Sequence, residues 1–104
     1  MTRPVLWSRD ALEDLKKQLV YIATDDPIVA SRVVARLRKA ATQLEDFATG
    51  RPGRVAGTYE KSVTGLPYII AYEIISRDAV GEIVAILRVI HTSRDWSEET
   101  WPSD

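Results

Sequence analysis

The chain has no cysteine and a single histidine among its 104 residues. Without thiols there is no disulfide framework, no thiolate zinc site and no cysteine nucleophile. One imidazole excludes a histidine-rich metal site, so no metal and no cofactor is expected. An excess of either charge is also missing: 14 Lys and Arg face 15 Asp and Glu, for a formal net charge of -1. Proteins that coat nucleic acid draw most of their non-specific affinity from cation-driven counterion release. The balance therefore excludes a generic coater and leaves room only for a local basic patch. No apolar run approaches the ~18 residues of a membrane span, and the first ten residues hold no apolar stretch of signal-peptide length. P-loop, G-x-G-x-x-G, G-x-S-x-G and H-E-x-x-H patterns are all absent. What remains is an ordinary folding composition, 45% hydrophobic and 28% charged. It fits one soluble, cytoplasmic domain over residues 1–104 with a core of its own.

The pattern along the chain predicts a β-α-α-β-β-β order and an α+β fold. Val5-Leu6-Trp7 reads as a short strand. Ser8 then offers a helix N-cap, with Asp10, Glu13 and Asp14 in the early turns where the helix dipole favours negative charge. Ala11, Leu12, Leu15, Leu19, Ile22 and Ala23 recur at helical spacing and predict a buried stripe. Asp26-Pro27 restarts a helix, pairing an oxygen cap with a proline whose missing N–H is harmless at the first position. Its stripe is Ala30, Val33, Val34, Leu37, Ala41, Leu44 and Phe47, and the short hinge implies an antiparallel helical hairpin. Thr49-Gly50-Arg51-Pro52-Gly53 breaks the pattern. The period then moves from 3.6 toward 2, giving strands over 58–63, 68–75 and 83–91, the last two apolar on both faces and therefore central. The whole reads as an N-terminal strand and helical hairpin packed on a small antiparallel sheet. A short acidic tail runs from about residue 97.

A tight turn at Val80-Gly81 predicts Tyr72 opposite Val89 and Glu73 opposite Arg88. Ile70, Tyr72, Ile74, Ala85, Leu87 and Val89 would then face the helices, and Glu73 and Arg88 the open side. A cross-strand ion pair needs no function. Arg32, Arg36 and Lys39 share a helical stripe that can touch a polyanion, although a solvated face explains them more simply. Arg51 and Arg54 flank a Gly-Pro turn and suit either a partner contact or plain solubility. His91, beside Arg88 and Arg94, has the chemistry for acid–base work on a phosphodiester. The simpler reading is a histidine packed at the rim of the sheet. Trp96 is expected to fold back onto the domain, whereas Trp101 is the better partner anchor.

Several strings in order resemble the RelE/ParE superfamily of type II toxin–antitoxin toxins. They are Ala11-Leu12-Glu13-Asp14-Leu15, Tyr21-Ile22-Ala23, Asp26-Pro27, Gly50-Arg51-Pro52-Gly53-Arg54, Gly57-Thr58-Tyr59-Glu60 and Pro67 to Glu73. The closing string, Ile86 to Trp96, is most similar to the ParE branch. The resemblance implies a growth-inhibiting toxin that poisons DNA gyrase and is neutralised by a ParD-like antitoxin, in a hetero-oligomer with it. It implies no sequence-specific DNA binding by this chain alone. Arg88, His91, Arg94 and Trp96 are the expected target-binding residues. The antitoxin is expected over Leu12, Leu15, Leu19, Val34 and Trp101. The sister RelE branch cuts mRNA on the ribosome, and His91, Arg88 and Arg94 would be its catalytic candidates here. A cutting member needs Arg and Lys clustered on the sheet face. The stretch where the family places one such cation reads Ser62-Val63-Thr64-Gly65, with Thr64 at the expected spot and Lys61 the nearest cation, so the inventory favours binding over catalysis. A third alternative is a degenerate toxin that serves only as antitoxin partner and co-repressor. Two departures from the ParE pattern stand out: Tyr59 where many members carry arginine, and Trp96-Ser97 in place of Trp-Pro.

Overall fold

In the computed structural model, residues 3–77, 79 and 81–93 are described. The chain forms β1 (Val5–Trp7), α1 (Arg9–Ala23), α2 (Pro27–Gln43), β2 (Arg51–Pro52), β3 (Tyr59–Ser62), β4 (Tyr68–Arg77) and β5 (Gly81–His91). Both helices start where their caps predict. The Ser8 side chain accepts from the Ala11 N–H at 3.0 Å, and the Asp26 carboxylate accepts from the N–H groups of Ile28 and Val29, each at 3.1 Å. Such caps satisfy donors that the first helical turn leaves orphaned.

The sheet has five strands in the order β1-β5-β4-β3-β2. It is mixed: β1 lies parallel to β5, with Leu6 opposite Ala85, and the other pairs are antiparallel. The sequence pattern misses β2, because two residues, one of them a proline, show no alternation; its pairing with β3 joins Arg51 to Glu60 and Pro52 to Tyr59.

The β4–β5 register differs from the expected one. Arg77 pairs with Gly81, whose φ of 81° suits glycine and closes a hairpin over three residues, 78–80, rather than at Val80-Gly81. A bulge follows: Ala71 faces Arg88 while Tyr72 faces Ile86, leaving Leu87 as the extra residue. Glu73 is thus opposite Ala85, and the Glu73–Arg88 pair does not form. The inward faces change with it. Ile70, Tyr72 and Val89 are core as expected and Ile74 packs against that core, but Val84 and Ile86 take the places assigned to Ala85 and Leu87. One extra residue reverses strand parity, so a periodic reading across it fails.

The core lies between the helices and one face of the sheet, built from Leu15, Leu37, Leu44, Ile70, Tyr72 and Ile86 among others. Across the sheet, Val55 and Leu87 pack on Ala71 and Ile90. Phe47, expected on the buried stripe of α2, is 73% exposed. The helix ends at Gln43, so Phe47 lies beyond its periodicity.

Candidate functional site

The seam between α1 and β5 organises the end of the sheet that carries His91. β1 covers the outer edge of β5 only as far as Ile86. Beyond that point α1 supplies the missing partners. The Ser8 N–H donates to the Ile86 carbonyl at 2.9 Å, and the Ser8 hydroxyl to the Leu87 carbonyl at 3.0 Å. The Asp14 carboxylate accepts the Val89 N–H at 2.9 Å. Asp14 also holds the Arg88 guanidinium through two bonds, Nε to Oδ2 at 2.8 Å and Nη2 to Oδ1 at 3.0 Å. This two-point fork is the strongest geometry available to an arginine–carboxylate pair. One turn along, the Tyr68 hydroxyl donates to the Gln18 side-chain carbonyl at 2.9 Å. Bare strand edges invite mispairing, and a helix that covers one with polar side chains removes that hazard.

Arg88 is therefore bound to α1, with its side chain only 16% exposed. His91 ends β5 opposite Tyr68. Its ring meets the Tyr68 ring edge-on with centroids 5.1 Å apart, and its Nδ1 accepts the Ser93 N–H at 3.1 Å. That contact places the proton of the neutral ring on Nε2. The structure thus brings Arg88 and His91 to the same end of β5. Arg94, Trp96 and Trp101 lie outside the described residues.

The sheet face away from the helices is centred on Ile69, Ala71 and Ile90, all buried. Glu60 lies on this face and is also buried. Its carboxylate accepts the Arg54 backbone N–H at 3.0 Å and sits 3.5 Å from the Arg51 guanidinium. Tyr59 stacks on Tyr72 with ring centroids 5.5 Å apart. Burial holds the Tyr72 phenol above its ordinary pKa, with the neighbouring Tyr59 adding to the effect. The Tyr72 hydroxyl donates to the Thr49 carbonyl at 2.7 Å.

The helical hairpin presents a groove of about 170 Å³ in which Leu12, Leu15, Leu19 and Val34 meet, flanked by Lys16 and Arg38. Four of the five residues expected beneath an antitoxin line this groove, and the fifth, Trp101, lies outside the described residues. Leu15 is the buried floor, while Leu12 and Leu19 are 47% and 38% exposed. The stripe that α1 buries is Ala11, Asp14, Leu15 and Gln18. Two polar residues thus occupy positions that the apolar pattern assigned to Leu12 and Leu19. A signal existed: residues 11, 14, 15 and 18 fit the i, i+3, i+4, i+7 spacing of one helix face, but hydrophobicity alone hides it.

Comparison with known proteins places these features in a family. A model described as the ParE toxin of type II toxin–antitoxin system, parDE, matches residues 5–96. A candidate toxin of Sinorhizobium fredii, Y4kP, is 42% identical over 95 residues, which cover 90% of this chain and 93% of that protein. Toxin RelE2 of Caulobacter vibrioides is 33% identical over 91 residues, covering 86% of this chain and 96% of its own. Among solved structures, a chain of the chromosomal ParDE system of P. aeruginosa superposes with a TM-score of 0.73 at 23% identity, covering 85% and 94% of the two chains. A chain of the toxin–antitoxin complex RelBE2 of Mycobacterium tuberculosis gives a TM-score of 0.53 at 26% identity, covering 88% and 99%. Sequence and fold agree that this chain belongs to the ParE toxin family of type II toxin–antitoxin systems.

Proposed function

We propose that this toxin inhibits growth by binding and poisoning DNA gyrase, and that a ParD-like antitoxin neutralises it. The observation that carries the target assignment is the make-up of the far sheet face. A ribonuclease of this fold needs cations there to grip a scissile phosphate and stabilise the charge that develops on it. That face is instead centred on Ile69, Ala71 and Ile90; the Arg51 guanidinium on it faces the buried Glu60 carboxylate at 3.5 Å, and Arg88 is drawn away to Asp14. A poison that works by binding needs no catalytic inventory. Arg88, His91, Arg94 and Trp96 are the proposed target-binding residues, with Arg88 ordering the strand end that presents the others.

Purified gyrase, ATP, plasmid and this protein, scored for linear DNA after detergent and protease treatment, test the proposal. Linear DNA that requires both proteins is expected. Arg94→Ala with Trp96→Ala should relieve growth inhibition while leaving the fold intact. No linear DNA and undiminished supercoiling in the presence of the folded toxin would overturn the gyrase assignment.

The similarity to Toxin RelE2 supports a second reading, a ribosome-dependent mRNA endonuclease using His91, Arg88 and Arg94. Codon-positioned mRNA cuts during expression would establish it in place of the first. Growth without any defect would instead favour the degenerate toxin acting as co-repressor. The antitoxin seat is proposed to be the groove of Leu12, Leu15, Leu19 and Val34, with Trp101 as a further anchor. The basic Lys16 and Arg38 at its margin suit an amphipathic segment with acidic flanks. Protection of Trp101 from protease in the complex is the expected sign of the second contact.

A further inference from the structure

The chain is close to neutral, yet its charges are not evenly spread. α2 carries Arg32, Arg36, Arg38 and Lys39 and not one carboxylate within Pro27–Gln43. Among the described residues none of these four cations takes part in an ion pair, while Arg3, Arg51 and Arg88 each have a carboxylate partner. Two of the four, Arg36 and Lys39, line a cleft of about 300 Å³ between α2 and the start of the β3–β4 connection. Lys61 reaches it from β3, so three cations share one concavity that no acid lines among the described residues. Gln43, Ser62 and Thr64 complete its polar wall.

Like charges gathered in a concavity repel one another, and the low-dielectric walls strengthen that repulsion. The cleft does not relieve it internally: Arg36 donates to the Thr64 carbonyl, and Lys61 donates to the Thr49 hydroxyl at 2.7 Å. These neutral acceptors fix the two side chains without cancelling their charge. A fixed guanidinium, two ammonium groups and the hydroxyls of Ser62 and Thr64 present donors from several directions at once. A carboxylate has two oxygens in one plane and can answer few of them. A tetrahedral phosphate has three or four oxygens and suits such a set. The cleft is also separate from the far sheet face, since Lys61 pairs with Ile70, which faces the helices.

We propose that this cleft binds a phosphate group, either of a nucleic-acid strand or as a free phosphate. The assignment stands apart from the gyrase reading. The turn that carries Thr64 is also tied to the end of β5, where the Thr92 N–H donates to the Pro67 carbonyl at 2.9 Å. A phosphate held here is therefore linked through one turn to the strand end that bears His91.

The test is amide NMR on the full chain at low salt, titrated in parallel with inorganic pyrophosphate, a short oligothymidylate and an oligoglutamate peptide. Both phosphate probes should shift the amides of residues 36–43 and 61–65. Arg36→Gln with Lys39→Gln should weaken them by about tenfold or more. Arg32→Gln with Arg38→Gln removes the same charge from the same helix outside the cleft and should change little. Three contacts predict a log–log salt slope near −2 for the oligonucleotide, falling to about −0.7 in the cleft double variant. Tighter binding by the oligonucleotide than by pyrophosphate would identify a strand as the source, and the reverse a free phosphate. Absence of shifts with either phosphate probe, equal losses in the two double variants, or binding of the peptide alone would overturn the proposal.

Discussion

The two sides of α1 invert the usual rule for a surface helix. The side against β5 buries Asp14 and Gln18, and the side toward α2 and the exterior leaves Leu12 and Leu19 in contact with water. A helix that served folding alone would place them the other way. The inward polar groups have a structural task, because they terminate the edge of β5 where β1 runs out. The outward leucines have no comparable task among the described residues. Exposed apolar surface gathered in a groove is the mark of a surface that becomes buried in a complex. One helix thus separates a region committed to the fold from the proposed antitoxin seat, and substitutions on its two sides should fail in different ways.

The largest expected effect lies on the inner side. Asp14→Ala leaves the Arg88 guanidinium and the Val89 N–H without their acceptor, and breaking a buried pair from one side costs about 3–5 kcal/mol. Urea denaturation should show that loss, and a change below about 1 kcal/mol would mean that the seam does not hold the sheet edge. On the outer side, Leu19→Asp should leave unfolding within about 1 kcal/mol of the parent while weakening the antitoxin complex by about 2–4 kcal/mol, as for a central interface anchor. Calorimetric titration with the cognate antitoxin measures the second quantity. Equal effects on stability and binding would erase the distinction between the two sides.

Smaller effects sharpen the picture away from α1. Asp26→Ala removes the cap of α2 and should cost about 1 kcal/mol with no change in antitoxin affinity. Tyr72→Phe removes one hydrogen bond to the Thr49 carbonyl and should cost about 1 kcal/mol near neutral pH. Its pH signature follows from the direction of the shift. The folded state holds the Tyr72 phenol above its ordinary value of 10.0. Folding therefore favours the protonated form, and that stabilisation is complete below pH 10 and is lost as pH rises through the folded-state pKa. Unfolding scans in alkali should show a steeper loss in the parent than in Tyr72→Phe.

Much of this architecture is legible in the residues themselves. Ser8, Asp26 and Pro27 mark both helix starts, since capping is decided within a few residues of the cap. The nearly continuous apolar run from Tyr68 to Ile75 marks a central strand for the same local reason. The pairing of β4 with β5 was not legible. It depends on a three-residue closure at 78–80 and on the extra residue Leu87, and both change parity without leaving a trace in hydrophobicity. The candidate site divides in the same way. Leu12, Leu15, Leu19 and Val34 meet because helical spacing and a hairpin suffice to bring them together. Asp14 was read as a dipole-friendly charge near a helix start, because nothing local announces that a strand edge lies uncovered beside it. Arg36, Lys39 and Lys61 come together across 25 positions of sequence, at a distance that no periodic pattern spans.

Leu87 decides more than register. Before it, β5 turns Val84 and Ile86 toward the helices, and after it Val89 and His91 occupy that side. A strand assigns its side chains to front or back by odd and even count, and a single surplus residue rewrites the assignment for everything downstream. Deleting Leu87 would restore plain alternation and leave the imidazole where it is, whereas straightening the strand with Leu87 kept in the count would deliver it to the opposite surface. For this toxin, where the sheet ends is settled by hydrogen bonds, but which way its last residues face is settled by arithmetic.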